Sequence, residues 1–237
     1  RFPPALAALE LGDDEARPFL VSALQTGELP LDLPFLRELA ARPDPDFARA
    51  LATAQPLVEW ELQLQVAGAR VRLGDPSAEQ VLRRALSDDD EERRAEAVDV
   101  LADLDDPVAV TLLRRAVSQG PDFVAAYAEV ALAGRGLLDA STLVDVSEED
   151  DFELRQLAVR HAGRAASLDD ARGVRKAVEV VLAGLEDRDG SVRAEAARAS
   201  GELHLQDAAS RLRQLLDDDR DAVRVEAAGA LLALSSG

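Results

Sequence analysis

"DRDGSVRAEAARA" at residues 187–199 returns 31 residues later as "DDRDAVRVEAAGA" at 218–230. Similarity at a fixed spacing of 20–50 residues is the mark of a repeat architecture. With Arg193 and Arg224 as anchors, the register extends backward. "DDDEERRAEAVDV" at 88–100 aligns on Arg94, and "GDP" at 74–76 lies 31 residues before "DDP" at 105–107. Equivalent positions run Gln63, Arg94, Ala125, Arg155, Arg193 and Arg224, with steps of 31, 31, 30, 38 and 31.

Each unit reads as two helices. The first begins in an Asp-rich turn, where a carboxylate caps free N–H groups and complements the helix dipole. Its apolar residues follow at i, i+4, i+5 and i+8: Val192, Ala196, Ala197 and Ser200 in one copy, Val223, Ala227, Ala228 and Leu231 in the next. That spacing is one buried stripe. The second helix is "SAEQVLRRALS" at 77–87, "PVAVTLLRRAVSQ" at 107–119 and "DAASRLRQLL" at 207–216. Pro107 is tolerated in a first turn because that N–H has no partner there. One such hairpin cannot bury its stripe alone, whereas stacked hairpins bury it continuously.

The pattern D-x-x-x-x-V-R-x-E-A-A with L-x-x-L-L-D-D resembles the HEAT-like repeats, in particular the short type found in phycobilisome lyases. The resemblance covers residues 57–237. It implies an all-α fold, an α-solenoid of stacked two-helix repeats wound as a right-handed superhelix. It further implies first helices on the convex side and second helices lining the concave side. About five and a half units are expected. Residues 1–56 fit the pattern poorly and hold eight of the eleven prolines. They read as a capping segment continuous with the repeats, with irregular helices near 4–11, 14–26, 34–42 and 45–54. After the first helix at 220–234 the chain stops at "SSG", so either a half unit caps the array or the protein continues. The 38-residue step carries about seven extra residues within 161–187, expected to lengthen the loop and the second helix.

Composition agrees with small-residue helix packing: 47% of residues are hydrophobic, only 3% aromatic. Cysteine is absent, which removes disulfides, thiolate metal sites and a cysteine nucleophile. No apolar run approaches the ~20 residues that span a bilayer, and no signal peptide is legible. The expected location is the cytoplasm. Because the chain starts at Arg1 and contains no Met, its natural start reads as removed, along with any targeting segment. Net charge is −19, and Lys176 is the single lysine among 27 basic residues. A GC-rich genome, a salt-rich cytoplasm or a basic partner each accounts for that balance.

The candidate chemistry is sparse. His161 and His204 stand in no metal-ligand spacing, and His161 aligns with Ala199 and Ala230, core positions. HEAT-like iron hydroxylases carry paired His-Glu motifs, which this chain lacks. Acidic clusters at Asp88–Asp90, Glu148–Asp151 and Asp217–Asp219 recur where first helices begin and read as caps. No metal and no cofactor are expected. Arg94, Arg155, Arg193 and Arg224 can reach the acidic turn of an adjacent unit and form an Asp–Arg ladder, each exposed contact contributing ~0.2–1 kcal/mol.

The candidate binding strip lies on the second helices. Arg83, Arg114 and Arg213 are equivalent, with Arg84 and Arg115 beside the first two. In "VLRRAL" the residues Val81, Leu82, Ala85 and Leu86 take the buried stripe, so Arg83 points outward. On a concave face these arginines would line a positive strip suited to a carboxylate-bearing protein segment. The alternative is that they are ordinary helix formers whose stems cover apolar surface. Trp60, Phe123 and Tyr127 align with Glu91, Glu92 and Glu96, which places aromatics on an outer surface, core packing being the alternative. The leading expectation is a non-catalytic protein-interaction or scaffold module. A structural segment of a larger assembly and a phycobilin-lyase-like chromophore enzyme are the other readings. Nucleic acid is disfavoured, because phosphate neutralisation needs a basic groove.

Overall fold

The computed structural model describes residue 8 and residues 15–28, 31–42, 44–54, 59–104, 106–119, 122–166 and 171–235. The helix expected near 4–11 lies outside them, apart from Ala8. The described residues form α-helices and no strand: α1 (Ala16–Thr26), α2 (Leu33–Ala40), α3 (Pro45–Ala54), α4 (Trp60–Arg72), α5 (Glu79–Ala85), α6 (Glu91–Ala102), α7 (Pro107–Gln119), α8 (Asp122–Ala133), α9 (Ser141–Ser147), α10 (Phe152–Ala165), α11 (Ala171–Gly184), α12 (Gly190–Glu202), α13 (Ala209–Leu215) and α14 (Asp221–Ser235). This is the all-α solenoid class of fold that the repeat register predicts. Short 3-10 turns at Pro76–Ala78 and Gln206–Ala208 precede α5 and α13.

The chain divides into two compact units, Arg1–Leu112 and Leu113–Gly237. In the first, α1 packs on α3, α2 and α3 pack on α4, and α4 packs on α5 and α6. Leu20, Leu24, Phe35, Leu39, Phe47, Leu51, Val66 and Leu73 form one core, so the proline-rich helices share apolar burial with the first repeat helix. In the second unit the first helices α8, α10, α12 and α14 contact one another in order, and the second helices pack between them. Burying each Val or Leu of the stripe contributes about 1.5–3 kcal/mol.

Aspartate starts the helices as the sequence predicts. Asp32, Asp75, Asp90, Asp151 and Asp189 each accept a hydrogen bond from a backbone N–H of the first turn. A second aspartate two residues earlier supports the first in two copies: the Asp189 N–H donates to Asp187 Oδ1 at 2.7 Å and the Asp90 N–H to Asp88 Oδ1 at 3.0 Å. Hairpin turns need one left-handed residue, supplied by Gly74 at φ 82°. In the later copy the same position is His204, at φ 51°.

Helix spacing is set by small residues. A Cβ on Gly201 would lie 2.8 Å from Ala230 Cα, so α12 and α14 meet there backbone to backbone. The second helices vary in length: α11, in the long step, has 14 residues, α7, in an ordinary step, has 13, and α5, α9 and α13 have 7 each. The stripe Val192, Ala196, Ala197, Ser200 is buried throughout. Its copy on α14 departs from expectation. Val223 and Ala227 are buried, but Ala228 is exposed and Leu231 half-buried, because α14 packs on α12 and α13 through one face only.

Candidate functional site

The repeated first-helix arginines are built into the stack. Arg155 donates from Nε and Nη2 to Asp187 at 2.8 and 2.9 Å. Arg193 repeats this one unit on, donating to Asp218 at 2.8 and 2.8 Å. The remaining edge of each guanidinium faces its own turn. Nη1 of Arg155 donates to the Glu149 and Asp150 carbonyls, and Nη1 of Arg193 to the Asp187 carbonyl. One flat fork thus ties two consecutive turns together, a geometry that lysine cannot reproduce.

The ladder differs from the exposed contacts expected of it. Side-chain exposure is 6% and 12% for Arg155–Asp187, and 13% and 8% for Arg193–Asp218. The charges are held in by the surrounding turns, so loss of one partner leaves the other buried. Arg193's fork, against the opposing cost of burial, brings Asp218 down to about 2. Burial acts against ionised Asp187, yet Arg155 and the Asp189 amide outweigh it and hold that carboxyl below the usual range. Asp187 and Asp218 in turn raise Arg155 and Arg193. Arg94 makes half of the pattern: Nη1 donates to the Asp88 carbonyl at 2.6 Å. The residue one unit on that would supply its carboxylate is Gln119, and Arg94 Nε is buried without a hydrogen-bond partner.

The second-helix arginines are all exposed. Arg83 and Arg84 lie on α5 of the first unit, with Leu82 and Ala85 buried beside them. Arg83 pairs with Glu79 one turn back on its own helix. Arg114 and Arg115 lie on the part of α7 that belongs to the second unit. Arg213 lies on α13, with Leu212 and Leu215 buried on either side. The outward direction predicted for Arg83 is therefore observed.

Among the aromatics, Trp60 and Phe123 are half-buried, and Arg93 stacks over the Trp60 ring at 5.4 Å, a cation–π contact. Tyr127 corrects the outer-surface expectation. It is 5% exposed and meets His161 edge to face, ring centroids 6.4 Å apart. His161 is itself buried. Gly134 makes the room, since a Cβ there would lie 2.8 Å from His161 Cβ.

Sequence reasoning missed two features. Arg70 is buried at 7% exposure, with Nη2 donating to Asp75 at 2.6 Å and to Ser77 Oγ at 2.8 Å, beside an open cleft of about 430 Å³ that Pro45, Ala48 and Leu73 also line. Its register partner is Leu101, so no repeat signal marks it. Lys176 Nζ sits 2.9 Å from Asp139 at a smaller cleft lined also by Leu138, Ala165 and Arg172. Lys176 and the backbone and hydroxyl donors of Ser141 hold the Asp139 carboxyl well below the usual range. No cluster of three or more His, Asp or Glu able to hold a metal occurs among the described residues. No helix among them is long and apolar enough to cross a membrane.

Tandem helical hairpins with capped acidic turns define a helical-repeat protein. The chain matches the HEAT repeats family over residues 58–133 and 140–233 and belongs to it. No curated protein matches. Similar solved structures include an engineered protein at 23% identity and TM-score 0.48, covering 88% of this chain and 100% of that one. A designed armadillo repeat protein in complex with the peptide (KR)4 aligns at 21% identity and TM-score 0.47, over 86% and 100% of the two chains. Human deoxyhypusine hydroxylase in complex with glycerol aligns at 19% identity and TM-score 0.40, over 92% and 96%.

Proposed function

We propose that this HEAT-repeat chain is a non-catalytic protein-interaction scaffold, and that Arg83 and Arg84 in the first unit and Arg114, Arg115 and Arg213 in the second are partner-binding residues. The observation that carries the reading is the exposure of arginine at one register position of three second helices in a chain of net charge −19. A guanidinium on an otherwise acidic surface is selective for a carboxylate-bearing segment, because its fork engages both oxygens. Long-range repulsion from the rest of the chain slows approach of such a segment and makes binding depend on salt.

The test is affinity capture from the native lysate with the wild-type chain and with Arg83→Glu/Arg114→Glu, followed by anisotropy with an acidic peptide from any captured partner. The double variant should lose that partner and weaken the peptide at least tenfold. An unchanged partner list for the folded variant removes these arginines from the account.

A further inference from the structure

One hairpin of the second unit opens at its turn. After left-handed Gly74, at φ 82°, the capping aspartate comes at once, and Asp75 accepts from the Ser77 N–H at 2.9 Å. After left-handed Gly136, at φ 68°, Leu137 and Leu138 come first. Only then follows Asp139, which accepts from the Ser141 N–H at 2.8 Å. The two inserted leucines are 38% and 40% exposed. The adjacent second helices are unequal: α11 has 14 residues and α9 has 7, about 10 Å more helix at about 1.5 Å per residue. The N-terminal turns of α11 reach the longer turn, where Lys176 Nζ donates to Asp139 Oδ1 at 2.9 Å.

Between them lies a cleft of about 100 Å³ that Arg172, Lys176 and Leu138 line. Its floor is apolar, with Ala133, Ala140 and Ala165 buried. A cavity of about 150 Å³ accepts benzene, so this one takes a single aliphatic side chain. An ammonium has three donors, and Asp139 is the one hydrogen-bond partner of Lys176 among the described residues. The local charge is opposite in sign to that of the chain. Residues 133–140 and 163–177 hold five cations, Arg135, Arg164, Arg172, Arg175 and Lys176, against the three carboxylates of Asp139, Asp169 and Asp170, in a chain of net charge −19.

We propose that this cleft docks a short acidic segment of a partner protein. One aliphatic side chain of the segment sits on the alanine floor against Leu138. A carboxylate beside it takes donors of Lys176 and Arg172. Asp139, its side chain 69% exposed, is the competitor that this carboxylate displaces. A free anion would leave Leu138 and the floor uncovered, and a wholly apolar segment would leave the cations unanswered. The site shares no residue with the arginines proposed above and stands without them.

The probes are dye-labelled, amidated peptides Asp-Asp-X-Asp-Asp with leucine, isoleucine or valine at X, read by fluorescence anisotropy. Because the chain has a single lysine, isotope labelling at the lysine Cε gives one NMR cross-peak that reports from the cleft. At least one peptide should bind saturably below about 1 mM and shift that cross-peak. Replacing its aspartates by asparagine, or X by serine, should weaken it about fivefold, as should Lys176→Gln and Leu138→Ser. Lys176→Arg and Arg83→Glu/Arg114→Glu should leave it within about twofold. Asp139→Asn keeps a residue able to cap and removes the competitor, so it should tighten binding about twofold. A purely structural role for the Lys176–Asp139 pair predicts the opposite sign. Circular dichroism checks that each variant is folded. Absence of saturable binding overturns the proposal, as does binding that ignores both Lys176→Gln and Leu138→Ser or weakens in folded Asp139→Asn. A concentration-dependent dimer abolished by Lys176→Gln overturns it in favour of a second copy.

Discussion

Arg193→Ala should destabilise the second unit far more than removal of a surface arginine. The guanidinium makes two 2.8 Å bonds to Asp218 and one of 2.9 Å to the Asp187 carbonyl. With 13% and 8% of the two side chains exposed, water cannot replace these partners fully. Breaking a buried pair from one side costs about 3–5 kcal/mol. Placement in a surface turn puts this case near the lower bound, about 3 kcal/mol. Asp218→Asn keeps the shape and loses the charge. The coupling from the Arg193→Ala/Asp218→Asn double-mutant cycle should be about 2 kcal/mol. Arg37–Asp103, with side chains 56% and 50% exposed, is the internal control and should couple by about 0.2–1 kcal/mol. A repeat array can open in parts, so the free energies are best read from native-state amide exchange in α12 and α14, beside urea melts. Equal coupling in the two cycles would refute the claim that the ladder is a buried structural element.

The same contact makes stability depend on pH. Asp218 titrates at about 2 in the folded chain against an ordinary value of 3.8, so its contribution is complete above about pH 4 and is lost as pH falls toward 2; Asp218→Asn should flatten that part of the stability–pH curve. His204 holds a left-handed conformation that Gly74 holds in its own repeat; His204→Gly should raise stability by about 0.5–1 kcal/mol in urea melts. Gly201→Val forces a side chain against Ala230 Cα and should cost about 1–3 kcal/mol or more, whereas Gly229→Val, with open space around it, should be tolerated.

The register was legible because several units solve the same problem with the same residue types: an acidic residue at the turn and arginine six residues on, as at Asp88/Arg94, Glu149/Arg155, Asp187/Arg193 and Asp218/Arg224, then small or aliphatic residues at helical spacing. Turn aspartates and outward Arg83 follow from local chemistry, which one sequence displays. Burial of the ladder did not follow, because exposure of Arg193 depends on how deeply the next turn closes over it. Tyr127 shares a register position with Glu96 and Glu195, yet it turns inward because Gly134 lets His161 sit close enough to receive its ring. Arg70 replaces Leu101 in register, and its buried guanidinium is paired with Asp75 and Ser77 in the turn that follows. Ala228 matches buried Ala197 in sequence yet is exposed, because the sequence of one copy does not display what packs on it. Arg83, Arg84, Arg114, Arg115 and Arg213 stand outward in sequence pattern and structure alike, because the apolar neighbours on their helices take the buried side.

The account rests on the 31-residue hairpin being a separable unit of the stack. Deleting residues 190–220 removes one period and joins Asp189 to Asp221, leaving Arg155 with Asp187 and offering Ala227 to the place Ala196 held. Far-UV circular dichroism with urea denaturation should show unchanged helicity per residue and a retained unfolding transition, whereas the same deletion carrying Ala227→Asp, a charge in the buried stripe, should be markedly less stable. If the 31-residue deletion unfolds, or tolerates that charge, the repeat stack is not what holds this protein together.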